Sequence, residues 1–220
     1  MTGFRYPQFC ALARASELLG ERWTLPIVRE LFVGPQRFGD LLRRLPGLSS
    51  SVLATRLARL EGAGVVTRRE LPPPAACQVY ELGEAGRALA PSLRALMIWG
   101  MRFLGAPREG DHFEPDWIRF AFETFARRGP TPSRRFEVRV PTRTEPLRIR
   151  IEGGSDGVCF LDDATPVELA FTAPPLVVLG LATGRVDGET WLRESGAAFE
   201  GDASAIRDFP ALFDVAPDPS

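Results

Sequence analysis

An α+β protein of two domains is the fold class this sequence predicts, and three observations carry it. Apolar residues recur at helical spacing up to residue 104, apart from one hairpin-like stretch, and then switch to a period of two from Phe136. Formal charge divides as +6 over residues 1–105 and −7 over the rest, under a net charge of only −1. Between the two parts lies a stretch rich in Gly, Pro and charge. The expected divisions are therefore 1–105, a linker with one helix over 106–133, and an α+β domain over 134–220 with a mainly antiparallel sheet.

The elements of the first part follow in order. Leu12, Ala15, Leu18 and Leu19 make a helical stripe stopped by Gly20. Trp23, Ile27 and Leu31 make a second, ended near Gly34-Pro35. Phe38, Leu41, Leu42 and Leu45 make a short third helix, closed by Pro46-Gly47. In the next run Ser49 stands where an N-cap is wanted, Leu53, Leu57 and Leu60 follow on one face, and Gly62 and Gly64 end the helix. Val65–Glu70 and Gln78–Leu82 then read as two strands, with the prolines between them in the loop rather than the ladder. One long helix is expected from Glu84 to Leu104, with Leu89, Leu93, Leu96, Gly100 and Phe103 as its stripe and Pro91 near its first turn.

In the second part, Trp117, Phe120, Phe122 and Phe125 mark a helix over about 115–128. Residues 136–140 and 147–151 alternate apolar with charged positions, as half-buried antiparallel strands do. Shorter strands are expected at 158–161, 167–172 and 197–200. Helices are expected at 175–184, 189–195 and 202–213.

Composition narrows the function. With 220 residues, 45% of them hydrophobic and 25% charged, the chain can bury a core without disulfides or metal. It has no apolar run of about 18 residues and no secretory-type start. Cys10, Cys77 and Cys159 are far apart, with neither zinc-ligand nor disulfide spacing. His112 is the only histidine, too few for a histidine metal site or a Ser-His-Asp triad with a choice of partners. Asp162-Asp163 are adjacent and point apart, Ser195 lacks a G-x-S-x-G elbow, and no Gly-rich phosphate loop follows a strand. A cytoplasmic protein without enzymatic activity, cofactor, metal or membrane anchor is expected.

The first half instead suggests nucleic acid. Three helices, the last capped by serine, and a two-stranded hairpin are the layout of a winged helix-turn-helix. At 100° per residue, the face of 50–62 opposite its leucines carries Ser51, Thr55, Ala58 and Arg59, with Arg56 on the flank. Small polar residues and arginine suit a helix entering the major groove of double-stranded DNA. The candidate DNA-binding set is Arg37, Arg43, Ser50, Ser51, Thr55, Arg56, Arg59, Arg68 and Arg69. The arginines of the hairpin and of the preceding helix would supply phosphate contacts.

Beyond these patterns, residues 8–104 closely resemble the HxlR-type winged helix-turn-helix transcriptional regulators of bacteria. The resemblance rests on Cys10, Leu19-Gly20-Glu21-Arg22-Trp23, Arg37-Phe38, Leu48-Ser49, Leu53, Arg56-Leu57, Leu60-Glu61, the Pro-rich wing, Tyr80, Leu82, Gly86 and Trp99. It implies a homodimer on a pseudo-palindromic operator, with an interface from the N-terminal segment and the 84–104 helix (Leu89, Leu93, Leu96, Gly100, Phe103). The wing tip, Pro74-Ala75-Ala76, departs from relatives that carry an arginine there, so no minor-groove contact is carried over to it. Some relatives use the N-terminal cysteine to sense oxidants or electrophiles. Cys10 is thus a candidate redox site, against its plainer reading as a small buried residue at a helix start.

Residues 115–215 resemble, more weakly, the sterol carrier protein type two domains. The matching features are an apolar helix ending at Gly184, the helix holding Trp191, Gly196, the turn Glu200-Gly201-Asp202, and Leu212-Phe213. This implies a five-stranded sheet and a hydrophobic tunnel. The candidate lining of a pocket for a small apolar effector is Phe120, Leu176, Leu179, Trp191, Phe199, Phe209 and Phe213. The function expected is that of a ligand-modulated, DNA-binding regulator. The alternatives are a lipid carrier or hydrolase that uses the winged helix for docking, and a cysteine-based redox-sensing repressor.

Overall fold

A computed structural model describes residues 5–74, 76–105, 108–142 and 145–214. The first elements are α1 (Ala11–Leu19), α2 (Thr24–Val33), α3 (Phe38–Arg44) and α4 (Ser50–Gly62), followed by β1 (Val66–Glu70) and β2 (Gln78–Leu82). Ile27, Val28 and Leu31 of α2, Leu41 of α3, and Leu53, Leu57 and Leu60 of α4 form one buried core with Val65, Val66, Tyr80 and Leu82. Burying a side chain of this size contributes about 1.5–3 kcal/mol, so the leucine stripe of α4 fixes which face turns outward.

Both ends of α4 are closed by local chemistry. Ser49 is extended, and its hydroxyl accepts from the Val52 N–H at 3.4 Å. At the other end Gly64 takes a left-handed φ of 69°. The Val65 N–H bonds the Leu60 carbonyl and the Gly64 N–H bonds that of Glu61, both at 2.9 Å. This pair of bonds is the Schellman pattern, which a residue with a side chain would strain. The hairpin pairs antiparallel from Val66 opposite Leu82 to Glu70 opposite Gln78, and Gln36 bridges Tyr80 beside it. Of the wing tip, Ala75 lies outside the described residues.

The long helix expected over 84–104 is broken. It forms α5 (Glu84–Arg87), α6 (Ala90–Gly100) and a 3-10 turn, Met101–Phe103. Pro91 is the cause: it has no N–H to give the Arg87 carbonyl four residues earlier, and its ring crowds that carbonyl. It is tolerated only because α6 starts again just before it. Gly86 of α5 sits so close to the hairpin that an added Cβ would run into the Val65 carbonyl oxygen.

The chain divides into two compact units between Leu93 and Arg94, within α6, rather than at the expected residue 105. Met97, Ile98 and Met101 pack against the second core, which explains the earlier division. Of the expected linker, residues 106 and 107 lie outside the described residues.

The second unit is built on α7 (Trp117–Phe125), β3 (Arg135–Val140), β4 (Leu147–Glu152), β5 (Cys159–Phe160), β6 (Leu169–Thr172), α8 (Pro175–Ala182), α9 (Gly188–Glu194) and β7 (Ala198–Gly201). Its five-stranded sheet runs β5-β4-β3-β6-β7. Three pairings are antiparallel and β3–β6 is parallel. Alternate residues Phe136, Val138, Val140, Ile149, Ile151, Leu169 and Phe171 enter the core with Phe122, Leu181, Trp191, Ile206 and Phe209. One charged position of this alternation is buried as well: Glu137 is held by Arg139 at 2.5 Å and Arg150 at 2.8 Å. Helix α7 is shorter than expected because Ala126 turns extended and bridges Phe213. The closing segment Ala203–Leu212 is 3-10 rather than α, and contains Pro210, which cannot donate an α-helical bond.

Candidate nucleic-acid interface

The HTH pair is α3 and α4, and α4 presents Ser51, Ala54, Thr55 and Ala58 to solvent. Ser50, just after the cap, is exposed too. The Thr55 hydroxyl donates to the Ser51 carbonyl at 2.9 Å, and the Ser51 hydroxyl lies 3.2 Å from that of Ser49. These short side chains hug the helix, so another surface can approach its backbone closely.

All but one of the candidate arginines around this face have carboxylate partners supplied by other elements or neighbouring turns. Arg43 pairs with Asp40 at 3.0 Å and Arg69 with Glu81 at 2.9 Å. Arg68 pairs with Glu61 at 2.6 Å and lies over the Tyr80 ring, 5.3 Å from its centroid. The hydrogen bond with Glu61 pushes the Arg68 pKa further above its ordinary value. The side chain of Arg37, exposed at the start of α3, has no ion pair or hydrogen-bond partner among the described residues.

Arg56 and Arg59 have partners that the sequence did not show. They do not reach freely outward. Arg56 Nη2 meets Glu21 Oε2 at 2.7 Å, and Arg59 Nη1 meets Glu21 Oε1 at 3.3 Å. Arg59 Nη2 also donates to the Glu17 carbonyl, and Arg56 Nε to that of Arg22 at 3.4 Å. A helical wheel of α4 shows only its own residues, so it could not show this; Glu21 lies in the corner between α1 and α2. Another pair, this one buried, is Arg44 with Glu30 at 2.7 Å, which ties α3 to α2. Neither carboxylate was assigned a role from sequence.

The expected dimer stripe separates into two sets. Leu93 is buried and Leu89 packs against the first core. Gly100 is half-buried. Leu96 and Phe103 are exposed, with Trp99 and Leu104 beside them in sequence, and the rings of Trp99 and Phe103 lie 4.8 Å apart. Phe9 and Leu12 at the N-terminal end are exposed as well.

The residues expected to line a pocket differ in burial. Phe209 stacks with Phe136 at 5.1 Å, Phe171 at 5.3 Å and Phe213 at 5.3 Å, so Phe209 and Phe213 fill the core. Trp191 packs on Phe171 and donates to the Val177 carbonyl at 2.9 Å. Phe120 is buried, Leu179 half-buried, and Leu176 and Phe199 are exposed.

Cys10 is exposed at the start of α1, not buried, and Cys77 and Cys159 are also free thiols. Among the described residues no group of three or more His, Cys, Asp or Glu is placed to hold a metal, and no helix is long and apolar enough to cross a membrane.

Capped α4 behind α3, the Gln36–Tyr80 bridge and the β1–β2 hairpin define a winged helix-turn-helix protein. Comparison with known proteins agrees. A family model described as HxlR-like helix-turn-helix matches residues 18–107. The uncharacterized HTH-type transcriptional regulator Rv3095 of Mycobacterium tuberculosis is 38% identical over 118 residues, covering 49% of this chain and 74% of that protein. The HTH-type transcriptional regulator YodB of Bacillus subtilis is 36% identical over 89 residues, covering 40% of this chain and 80% of YodB. A solved structure of the reduced form of YodB, 31% identical, covers 46% of this chain and 100% of that one, with a TM-score of 0.40. The chain belongs to the HxlR-like helix-turn-helix family of transcriptional regulators.

Proposed function

We propose that this regulator binds double-stranded DNA in the cytoplasm as a homodimer, with α4 in the major groove, and that it carries out no catalysis. The observation that carries the reading is the solvent-facing row Ser51, Thr55 and Ala58 on a helix whose N-terminus is capped and whose opposite face is fixed in the core. Exposed pairs such as Arg43–Asp40 and Arg68–Glu61 are weak in water. Phosphates can therefore displace their carboxylates at little cost. Exposed Leu96, Trp99, Phe103 and Leu104 favour a second copy, since apolar groups of this size are rarely left in water together. Binding measured against salt tests the DNA reading: phosphate contacts make log affinity fall by about 0.9 per contact with log salt. A flat dependence, or a monomer by light scattering at binding concentrations, would remove the corresponding part.

Two modulating inputs belong to the same reading. The sterol-carrier-like pattern of the second unit, with exposed Leu176 and Phe199 and half-buried Leu179, favours control by a small apolar effector. Titration of fatty acids or sterols that leaves DNA affinity unchanged would dispose of it. The exposed Cys10 thiol favours an oxidant-sensing role. That role requires Cys10→Ser to abolish release of DNA by oxidants.

A further inference from the structure

Arg56 and Arg59 stand on the α4 helix whose neighbours face DNA, yet both guanidinium groups are bound to one short stretch of chain, residues 17–22. Relative to the inward direction set by Leu53, Leu57 and Leu60, Arg56 leaves α4 at roughly 60° and Arg59 at roughly 120°, whereas Ser51 and Thr55 leave at roughly 160°. Arg56 therefore points along the flank, and its side chain is only 17% exposed. One carboxylate, Glu21, takes both arginines, through a different oxygen for each. Each arginine then uses a second N–H on a backbone carbonyl: Arg56 on Arg22 and Arg59 on Glu17. The Glu17 carbonyl lies in the last turn of α1, where carbonyls lack partners within the helix and a cation meets the negative end of the helix dipole. The two arginines thus hold α4 at two points to the corner between α1 and α2.

We propose that Arg56 and Arg59 are positioning residues anchored by Glu21, which set the pose of α4 in the groove and leave the base contacts to Ser51 and Thr55. The proposal rests on the DNA-binding reading above. It also assigns α1, whose first residues include the exposed Leu12, a direct mechanical link to the recognition helix.

The test uses the full chain, a duplex obtained by selection from random sequences with the wild-type protein, and a random-sequence duplex. Glu21→Gln and Arg56→Gln are each expected to weaken the selected duplex about tenfold and the random duplex less than twofold. The slope of log affinity against log salt stays at its wild-type value, and the double variant is no weaker than either single one. Arg59→Lys keeps the charge but not the fork of donors, so it should lose selectivity as well. Glu21→Gln binding both duplexes more tightly with a steeper slope, Arg56→Gln lowering the slope by about 0.9, an equal loss on both duplexes, or full selectivity in Arg59→Lys would each overturn the proposal. Should Glu21→Gln fail to fold, Arg59→Lys decides alone. A wild-type chain that binds neither duplex instead overturns the DNA reading, and this one with it.

Discussion

Among the candidate DNA-contacting arginines, Arg37 is set apart by having no carboxylate of its own among the described residues. Its charge is fully available to a phosphate. Arg37→Ala should therefore weaken selected and random duplexes alike and reduce the salt slope by about 0.9, as measured by fluorescence anisotropy over a range of salt. Thr55→Ala should behave oppositely: about 1–3 kcal/mol of discrimination lost on the selected duplex, random DNA unaffected and the slope unchanged. The outward residues of α4 were legible in the sequence because the helix period alone places them. The fate of Arg56 and Arg59 was not. It depends on Glu21, brought near by packing of α1, α2 and α4 rather than by any local pattern.

Single elements show where local chemistry suffices. The cap at Ser49, the glycine end of α4 and the β1–β2 pairing all follow from residue types at the termini. Ser49→Ala should cost about 1 kcal/mol, because the Val52 N–H loses its acceptor; urea unfolding monitored by circular dichroism would show the lowered midpoint. The helix break before α6 was misjudged from the leucine stripe, which continues through it. Pro91 outweighs that stripe because a missing donor and a ring clash cost more than one turn of apolar contact contributes. The parallel pairing of β3 with β6 lay beyond the sequence for another reason. A period of two shows which face of a strand is buried but not which partner it takes.

Over the whole molecule, the charge asymmetry of the sequence has a counterpart in how carboxylates are held. In the second unit hydrogen bonds depress several of them: Glu200 by Arg139, Asp187 by the Thr190 N–H, Asp202 by Ser204 and Asp162 by Thr165. A carboxylate whose pKa is lower folded than unfolded stabilises the fold above its unfolded pKa. That contribution is lost as pH falls through the folded value. The second unit should therefore melt progressively lower as pH drops below about 4, which calorimetry between pH 6 and pH 2.5 would register. Unchanged melting over that range would contradict the depressed values. Two domains and their classes were legible from period and charge. The point of division was not, since it depends on Met97, Ile98 and Met101 choosing the second core.

The hydrogen of the Thr55 hydroxyl is already committed to the carbonyl one turn back, so what the side chain offers outward is lone pairs and a methyl group. Lone pairs in the major groove find their match in the exocyclic amino groups of adenine and cytosine, and a methyl group finds it in thymine. Guanine presents only acceptors there, so in the proposed groove-bound pose this one intrahelical bond would bias the regulator against guanine opposite Thr55.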